Sequence, residues 1–207
     1  MTMTGPASLK PRKKPVQRRS GVTVEVIFEA TIQVLLAVGF ARLTTTRVAE
    51  RAGVSVGTLY QYFPNKHALL AAVSQQYLDG ICVAVETACT QFQGGSLERA
   101  TRGICQAFVE AKMRRPDVSV ALHLPGAEVH KGEQIKAAMS RLHTAVAQAL
   151  QSVTDHPPQN AMVASFFLIT AVIGPVQAVL DQGASPDLVA LLDTQLFELA
   201  YGYLLRA

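Results

Sequence analysis

The chain contains no tryptophan, only three cysteines and comparatively few charged side chains. Among its 207 residues, 16% are charged and 49% are hydrophobic. A composition this apolar excludes a disordered chain and predicts a sizeable buried core. The shortage of charge also indicates that a partner covers part of the surface.

The three cysteines, Cys82, Cys89 and Cys105, do not have the CxxC or Cys/His spacing of a metal site. Cys82 and Cys89 are seven residues apart, so on a helix they share one face. We interpret all three as small buried hydrophobes in a reducing compartment; a redox sensor is the alternative. The basic N-terminus has no apolar signal core, so we expect a cytoplasmic protein.

Catalytic signatures are also missing. The sequence contains no GxSxG, GxGxxG, P-loop or HExxH motif, and no acid–base pair placed by a motif. We therefore expect no enzymatic activity, no cofactor and no metal.

Acidic residues are missing from residues 1–20, which contain six Lys/Arg and several prolines. Residues 1–66 hold ten Lys/Arg against three Asp/Glu, and residues 67–207 hold nine against twelve, so the net charges are +7 and −3. This asymmetry indicates that the N-terminal part meets a polyanion. We interpret residues 1–20 as a flexible basic arm that binds phosphates or a minor groove; a tail that only aids solubility is the alternative.

Apolar residues recur at three- and four-residue steps through most of the chain, which predicts an all-α fold of about nine helices. The first expected helix begins at about Val22 or Val24 and ends at Val38. The others span about 47–52, 56–63, 66–89, 97–115, 117–123, 127–153, 158–181 and 186–205. Gly39 is expected to end the first helix, and Gly80 predicts a kink or close packing in the fourth. We divide the chain into the arm at 1–20, a helix-turn-helix domain at 21–66 and a helical body at 67–207.

The segment 44–66 reads TTTRVAERAGVSVGTLYQYFPNK. Thr44–Thr46 supply a cap for one short helix, Gly53 permits a sharp turn, and Ser55 caps a second short helix. Leu59 and Phe63 are four apart and form the inward stripe of this second helix. The segment therefore predicts a helix-turn-helix; an ordinary helical corner with a polar surface is the alternative.

A helix that enters the major groove needs small or polar residues on its first turn and anchors at the phosphates. Ser55, Val56, Gly57 and Thr58 form such a turn, and Gln61 can hydrogen-bond a base edge. Hydroxyls suited to phosphate oxygens belong to Thr58, Tyr60 and Tyr62. Lys66 begins the next helix, where its charge and the free N–H groups can hold a phosphate.

The run 45–63 together with Lys66 closely resembles the DNA-binding signature of TetR (tetracycline-repressor-like) transcriptional regulators. The resemblance covers about residues 22–70. It implies DNA contacts from Thr45, Thr46 and Arg47, base-facing positions at Val56, Gly57 and Gln61, and phosphate anchors at Thr58, Tyr60, Tyr62 and Lys66. Val56 can touch a thymine methyl group but cannot hydrogen-bond a base.

The resemblance further implies a homodimer that binds double-stranded operator DNA, with the last two helices at the dimer interface and a cavity for a small effector in the body. Candidate ligand-binding residues are Phe108, Met113, His123, Met139, His143 and Phe166. Each of them could equally be ordinary core, and a histidine in particular could be a surface or satisfied core residue. Because few charges lie in this set, we expect a largely apolar effector.

The dimer interface is expected on two apolar stripes of the last two helices. Its candidate residues are Phe166, Ile169, Ile173, Leu192, Leu196, Leu199 and Tyr203. Residues 157–180 carry no charge and satisfy the length rule for a membrane span. Their polar residues, the Gly174–Pro175 pair and the lack of a second convincing span favour a helix buried against the core and a partner chain, so no membrane partner is expected.

The leading hypothesis is thus a ligand-responsive transcriptional regulator, a repressor that binds a palindromic operator as a dimer and is released by its effector. The alternative is a helical dimeric scaffold, or a DNA-binding protein regulated by a protein partner without a small-molecule ligand.

Overall fold

The computed structural model describes residues 18–123 and 132–207, with the side chains of 18–20 excepted. These residues form helices and no strand, so the predicted all-α fold is confirmed. The helices are α1 (Arg18–Arg42), α2 (Thr45–Ala52), α3 (Val56–Tyr62), α4 (Lys66–Gln91), α5 (Leu97–Met113), α6 (Pro116–His123), α7 (Gly132–Gln151), α8 (Ala161–Asp181) and α9 (Pro186–Leu204). Most of the basic arm (1–17), and the predicted start of α7 at 127, lie outside the described residues.

Helix α1 begins at Arg18, which is earlier than the predicted start at Val22 or Val24. Gly39 has φ 72° and ψ 170°, so it interrupts the helix at the predicted position, and helical geometry then resumes to Arg42. A residue with a Cβ rarely adopts this backbone conformation, which is why a glycine occupies the break.

The described residues fall into two compact units, one formed by residues 18–76, 121–123 and 132, the other by 77–120 and 133–207. The first contains α1, α2, α3 and the start of α4. The division falls inside α4, ten residues after the predicted domain boundary at 66/67.

In the first unit, α1 packs against α2, and α2 against α3. Ile27, Leu35 and Leu43 are completely buried, and the rings of Phe28 and Phe63 lie 5.6 Å apart. These contacts fix α3 through its apolar side and leave its polar side uncovered within this unit.

In the second unit, α5 packs against α9, and α8 against α9 and α5. Leu97, Leu150, Leu168, Leu196 and Leu204 are almost completely buried in one continuous apolar core. The three cysteines are free and buried, as the sequence predicts. Burial raises the pKa of Cys105 to about 12, so this thiol stays protonated and unreactive at neutral pH.

Two expectations about the helices are wrong. Gly80 is exposed, and a Cβ built on it would meet nothing within 4 Å, so the close packing expected as one alternative is absent. Helix α4 runs through this position without a break. By length and composition alone, three described helices could cross a membrane, namely Gly21–Arg42, Lys66–Gln91 and Ala161–Asp181, whereas the sequence argument found only the last. Each of the other two helices carries a few charges and so lacks the uninterrupted uncharged run of residues 157–180.

Candidate nucleic-acid interface

Local hydrogen bonds define both ends of α2. The hydroxyl of Thr44 accepts a hydrogen bond from the backbone N–H of Arg47 at 3.2 Å, which caps the N-terminus. Gly53 has φ 66°, in the left-handed region, and the N–H groups of Gly53 and Val54 donate to Glu50 and Ala49. This closure satisfies the last carbonyl groups of α2 and turns the chain towards α3.

Ser55 caps the N-terminus of α3, because its hydroxyl accepts a hydrogen bond from the backbone N–H of Thr58 at 2.9 Å. The two side-chain hydroxyls of Ser55 and Thr58 also lie 2.8 Å apart. Leu59 and Phe63 are buried, so the predicted inward stripe of this helix is confirmed. The caps and the stripe together fix which side of α3 faces outward.

The outward side of α3 carries the residues predicted to read DNA. Gly57, Tyr60 and Gln61 are exposed, and Val56, Thr58 and Tyr62 are half-buried. Ser55, at the entrance to the helix, is exposed as well. The structure therefore brings this whole set onto one short helix with a small first turn, a shape that a major groove accommodates.

Thr45 is the exception among the predicted DNA contacts, because its residue is only 8% exposed. Its hydroxyl lies 3.1 Å from the hydroxyl of Tyr60. In this arrangement Thr45 holds the tyrosine of α3 against α2. Thr46, the next residue, is exposed.

Cations surround the two helices. Arg47 is exposed, and its guanidinium donates to the backbone carbonyl of Arg42 at 2.7 Å. Arg42 and Arg51 are also exposed, although the sequence argument assigned neither of them a role. The sequence could have indicated a role for Arg51, because it follows Arg47 by four residues and so lies on the same face of this short helix.

Lys66 is tied to the break in α1. Its ammonium donates to the carbonyl of Phe40 at 3.2 Å and lies 4.4 Å from the centre of the Phe40 ring. An ammonium has three donors, so this bond leaves others for a phosphate. The predicted phosphate anchor is thus also a link between α1 and the start of α4.

The predicted ligand-binding residues are distributed over both units. His123 is exposed and belongs to the first unit, whereas Phe108, Met113, Met139, His143 and Phe166 belong to the second. Phe108 is buried beside a small apolar cavity of about 10 Å³. That cavity is bounded by Val85, Ile104, Cys105, Phe108, Leu142, Leu168, Ile169 and Val172. It has room for about one water molecule.

His143 and Phe166 form a separate pair, with ring centres 5.6 Å apart. The Nε2 atom of His143 is buried without a hydrogen-bond partner among the described residues. Phe166 is 50% exposed, so it is not a wall of the small cavity. Of the predicted ligand set, the structure therefore places only Phe108 at that cavity.

Lys112 is a buried cation that the sequence argument did not single out. The residue is 7% exposed, and its ammonium donates to the hydroxyl of Ser119 at 2.9 Å. The ammonium also lies 5.4 Å from the centre of the Tyr77 ring. Burial lowers the pKa of Lys112 to about 8, against an opposing effect of the Asp181 carboxylate. Its sequence signal was its spacing, since Ile104, Phe108 and Lys112 are four residues apart on α5.

A larger groove of about 440 Å³ runs between α4 and α7. Arg141 crosses one part of it and pairs with Asp79 at 2.7 Å and Glu86 at 2.9 Å. The other residues that line the groove are mostly small or polar, including Thr90, Gln93, Ser140, Thr144 and Gln148. Because Arg141 is already neutralised, this groove has no free cation among the described residues that line it.

Aromatic and aliphatic side chains remain exposed on α8 and α9. Phe166 and Phe167 are in edge-to-face contact at 5.5 Å, and Phe167 lies 5.9 Å from Tyr203. Of the predicted interface residues, Phe166 and Leu199 are exposed and Ile173 and Tyr203 half-buried, but Ile169, Leu192 and Leu196 are buried in the chain's own core. Met162, Val163, Phe167 and Leu191, outside the predicted set, are exposed.

Two family models match the chain. Residues 27–73 match the model described as bacterial regulatory proteins, tetR family, and residues 96–204 match the tetracyclin repressor-like C-terminal domain. The first match contains the whole of α2 and α3. The second covers more than half of the chain, including α5, α7, α8 and α9.

Individual relatives agree with these models. An uncharacterised HTH-type transcriptional regulator of Mycobacterium bovis is 36% identical over 62 residues, 30% of this chain and 32% of the relative. The class C tetracycline repressor of Escherichia coli is 43% identical over 54 residues, 26% of this chain and 25% of the relative. The matched segments thus span about a third or less of the length of these curated relatives.

Among solved structures, the fatty acid degradation regulator FadR from Bacillus halodurans superimposes with a TM-score of 0.70. The superposition covers 92% of this chain and 97% of that chain at 18% sequence identity, so it shows a shared fold. With a matching C-terminal model over more than half its length and a matching N-terminal model over α2 and α3, the chain belongs to the TetR family of bacterial regulatory proteins.

Proposed function

We propose that this protein is a transcriptional repressor that binds a palindromic DNA operator as a homodimer and is released by a small, largely apolar effector. The observation that carries the proposal is the exposed face of α3. Gly57, Tyr60 and Gln61 point away from a fixed apolar stripe, in a unit whose α1 and α2 present Arg42, Arg47 and Arg51 to solvent. The arrangement supplies a small reading surface flanked by cations, as groove recognition requires.

In this proposal the reading residues are Val56, Gly57 and Gln61, and the phosphate anchors are Thr46, Arg47, Thr58, Tyr62 and Lys66. Ser55 orders the first turn of α3 through its cap. Thr45 acts through Tyr60, because it is buried and hydrogen-bonds the tyrosine hydroxyl. Whichever hydroxyl donates in this bond, the Tyr60 oxygen keeps at least one lone pair for a water or a neighbouring donor.

The dimer is proposed to form through α8 and α9. The exposed residues Phe166, Phe167 and Leu199 would contact the second copy, with Ile173 and Tyr203 beside them and Ile169, Leu192 and Leu196 supporting them from below. A symmetric pair of such surfaces removes the exposed aromatics from water. Its two-fold axis predicts two operator half-sites about one helical turn apart or slightly more, roughly 34–36 Å.

The proposed effector would act by favouring a conformer in which the two reading heads are wrongly spaced for the operator. Helix α4 is the candidate for the moving part, since it is continuous from Lys66 to Gln91 and contributes residues to both compact units. Phe108, Met113, Met139 and His143 stay candidates for effector contacts. No membrane partner or catalytic activity is part of the proposal, and the expected location is the cytoplasm.

The test is a gel shift with the DNA upstream of the protein's own gene. Gln61→Ala, on the exposed face of α3, is expected to weaken binding. Gln93→Ala is a matched control, because Gln93 is an exposed glutamine of the other unit. Equal binding by both variants, or no binding by the unchanged protein to any fragment of that region, would contradict the proposal.

The second candidate function is a helical scaffold that uses the apolar surface of α8 and α9 for a protein partner. The exposed Phe166 and Phe167 support this function as well as they support a dimer, because they could pack against a helix of another protein or against a second copy of this chain. Salt dependence separates the two functions, since binding through phosphate contacts must weaken as salt rises.

A further inference from the structure

Lys112 lies at the end of an apolar row along α5. Ile104, Phe108 and Lys112 are spaced by four residues, and all three are buried. Two helical turns separate the first from the last, a distance of about 12 Å at 1.5 Å per residue. One buried helix face therefore has apolar residues at one end and a cation at the other.

The apolar end of this face coincides with a packing defect. Ile104 and Phe108 border the cavity of about 10 Å³, together with residues of α4, α7 and α8. Protein interiors are otherwise close-packed, and this void has room for about one water molecule, so an apolar ligand would enter here only as the four helices separate. Every residue that borders it is apolar or a cysteine.

The polar end is incompletely satisfied. Ser119 gives Lys112 one hydrogen-bond acceptor, and the Tyr77 ring lies 5.4 Å from the ammonium. Among the described residues, no carboxylate forms an ion pair with Lys112; Asp181 acts on it only as a more distant charge. Among the described residues, two of the three ammonium donors thus have no acceptor and can bind one from a ligand. A buried, unpaired cation is unfavourable, and an incoming anion would remove that penalty.

We infer that the effector of this protein is an anionic amphiphile, whose acidic head group binds Lys112 and whose apolar body, about 12 Å long, enters between α4, α5, α7 and α8 along Phe108 and Ile104. The inference rests on the proposed function, because it identifies the chemical class of the proposed effector. It also makes the expectation of a largely apolar effector more specific by adding an acidic head group, since a cation lies at one end of the apolar row.

The probes for the test are decanoate, decanol and decylamine, which share one chain and differ in the charge of the head group. Binding is measured by titration calorimetry below the critical micelle concentration of each compound. Decanoate should bind the unchanged protein about tenfold or more tightly than either other probe, because only its head group pairs with an ammonium. Equal binding of the three probes, or no saturable binding of decanoate, overturns the inference.

Two variants assign the preference to Lys112. Lys112→Met keeps the length and apolar volume of the side chain and is expected to lose the preference for decanoate over decanol, whereas Lys112→Arg keeps the charge and should retain it. Lys136→Met is the matched control, since Lys136 is an exposed lysine of α7. Circular dichroism checks that each variant is folded. An undiminished preference in folded Lys112→Met would show that Lys112 has a structural role alone.

The same samples distinguish this inference from the proposed function. Gel shifts without any probe test DNA binding, and Lys112→Met is expected to bind the operator like the unchanged protein. If the protein binds DNA but not decanoate, the inferred effector class is wrong and the proposed DNA-binding function is retained. If decanoate binds and no DNA fragment does, the DNA-binding function fails and the ligand site stands.

Discussion

The hydroxyl of Thr45 lies 3.1 Å from the hydroxyl of Tyr60, and this contact joins the first residue of α2 to the outward face of α3. Thr45 is buried and Tyr60 is 41% exposed. The pair therefore connects the interior of the helix-turn-helix to the surface that we propose for DNA. A substitution at Thr45 should therefore alter the position of Tyr60.

Tyr60→Phe removes only the hydroxyl and leaves the buried Thr45 without its partner. We expect the free energy of unfolding to fall by about 1 kcal/mol, the usual value for one hydrogen bond with a buried partner. Urea titrations followed by circular dichroism measure it. Tyr62→Phe is the matched control, because among the described residues no hydrogen bond joins the Tyr62 hydroxyl to α2. Equal stability of both variants would show that the Thr45–Tyr60 bond contributes little.

Arg47→Ala should reduce the salt dependence of operator binding. Each phosphate contact contributes about 0.9 to the slope of log K against log salt, so the loss of one contact lowers the slope by about one. Fluorescence anisotropy with a labelled operator at several salt concentrations gives this slope. Arg99→Ala, which removes an exposed arginine of the other unit, should leave the slope unchanged. An unaltered slope in Arg47→Ala would show that Arg47 does not contact a phosphate.

Gly103 lies directly against Phe92. A Cβ at this glycine would come within 1.9 Å of the Phe92 ring, so Gly103→Ala must displace the ring from α5. We expect a loss of about 1–3 kcal/mol in the free energy of unfolding, as for other overpacked core positions. Gly80→Ala is the control, since its Cβ would meet nothing within 4 Å and alanine is the better helix former by about 1 kcal/mol.

A second change separates the clash from the intrinsic effect of alanine at Gly103. In a Phe92→Ala background the ring is absent, and Gly103→Ala should become neutral or stabilising. The two changes together should therefore destabilise the protein by less than the sum of their separate effects. Additive losses would mean that the ring is not the obstacle.

The buried Lys112 predicts a pH dependence of stability. Burial lowers the pKa of this ammonium from its ordinary value of 10.5 to about 8. Between pH 8 and 10.5 the unfolded chain therefore binds the proton more strongly than the folded chain, and folding becomes more favourable as pH rises. At pH 7 the buried charge should cost up to about 3 kcal/mol, a penalty that diminishes above pH 8.

Comparison with Lys112→Met isolates this effect from the cysteines, whose raised pKa values act in the opposite direction above pH 9. Tyr77 lies beside Lys112, Asp181 acts on it as a charge, and Asp117 acts on Tyr77; all three residues are kept in the variant. We expect Lys112→Met to have a stability advantage at pH 7 that shrinks from pH 8 to 10.5. If the difference in the free energy of unfolding between the two proteins stays constant from pH 8 to 10.5, Lys112 does not carry a buried charge that titrates in this range.

Phe166→Asp together with Phe167→Asp should convert the proposed dimer into a monomer, because two exposed aromatic rings would be replaced by like charges facing each other across the two-fold axis. Sedimentation velocity at micromolar concentration measures the change. Val83→Asp is the control, as Val83 is an exposed hydrophobe of α4 and belongs to neither α8 nor α9. A monomer before any substitution would count against the dimer itself.

The helix-turn-helix could be predicted closely from the residues. Thr44, Gly53 and Ser55 act through hydrogen bonds to groups three or four residues away, so the local sequence determines their effect. The burial of Leu59 and Phe63 follows from helical periodicity in the same way. The predicted start of α1 at Val22 was too late, because α1 begins at Arg18. Residues 18–21 have no apolar periodicity, so the sequence pattern does not indicate that they are helical.

The sequence alone determines the helices, their caps and the reading face of α3, because each depends on interactions within one or two turns. Only the tertiary structure decides that Thr45 supports Tyr60, that Lys66 holds the carbonyl of Phe40, and that Lys112 is buried with few partners. Those contacts join residues on different elements, and helical periodicity does not specify which faces meet. For that reason the surface proposed to read DNA could be predicted from the residues. The spacing of Lys112 aligns it with Phe108 and Ile104, but its burial and its few partners could not be predicted.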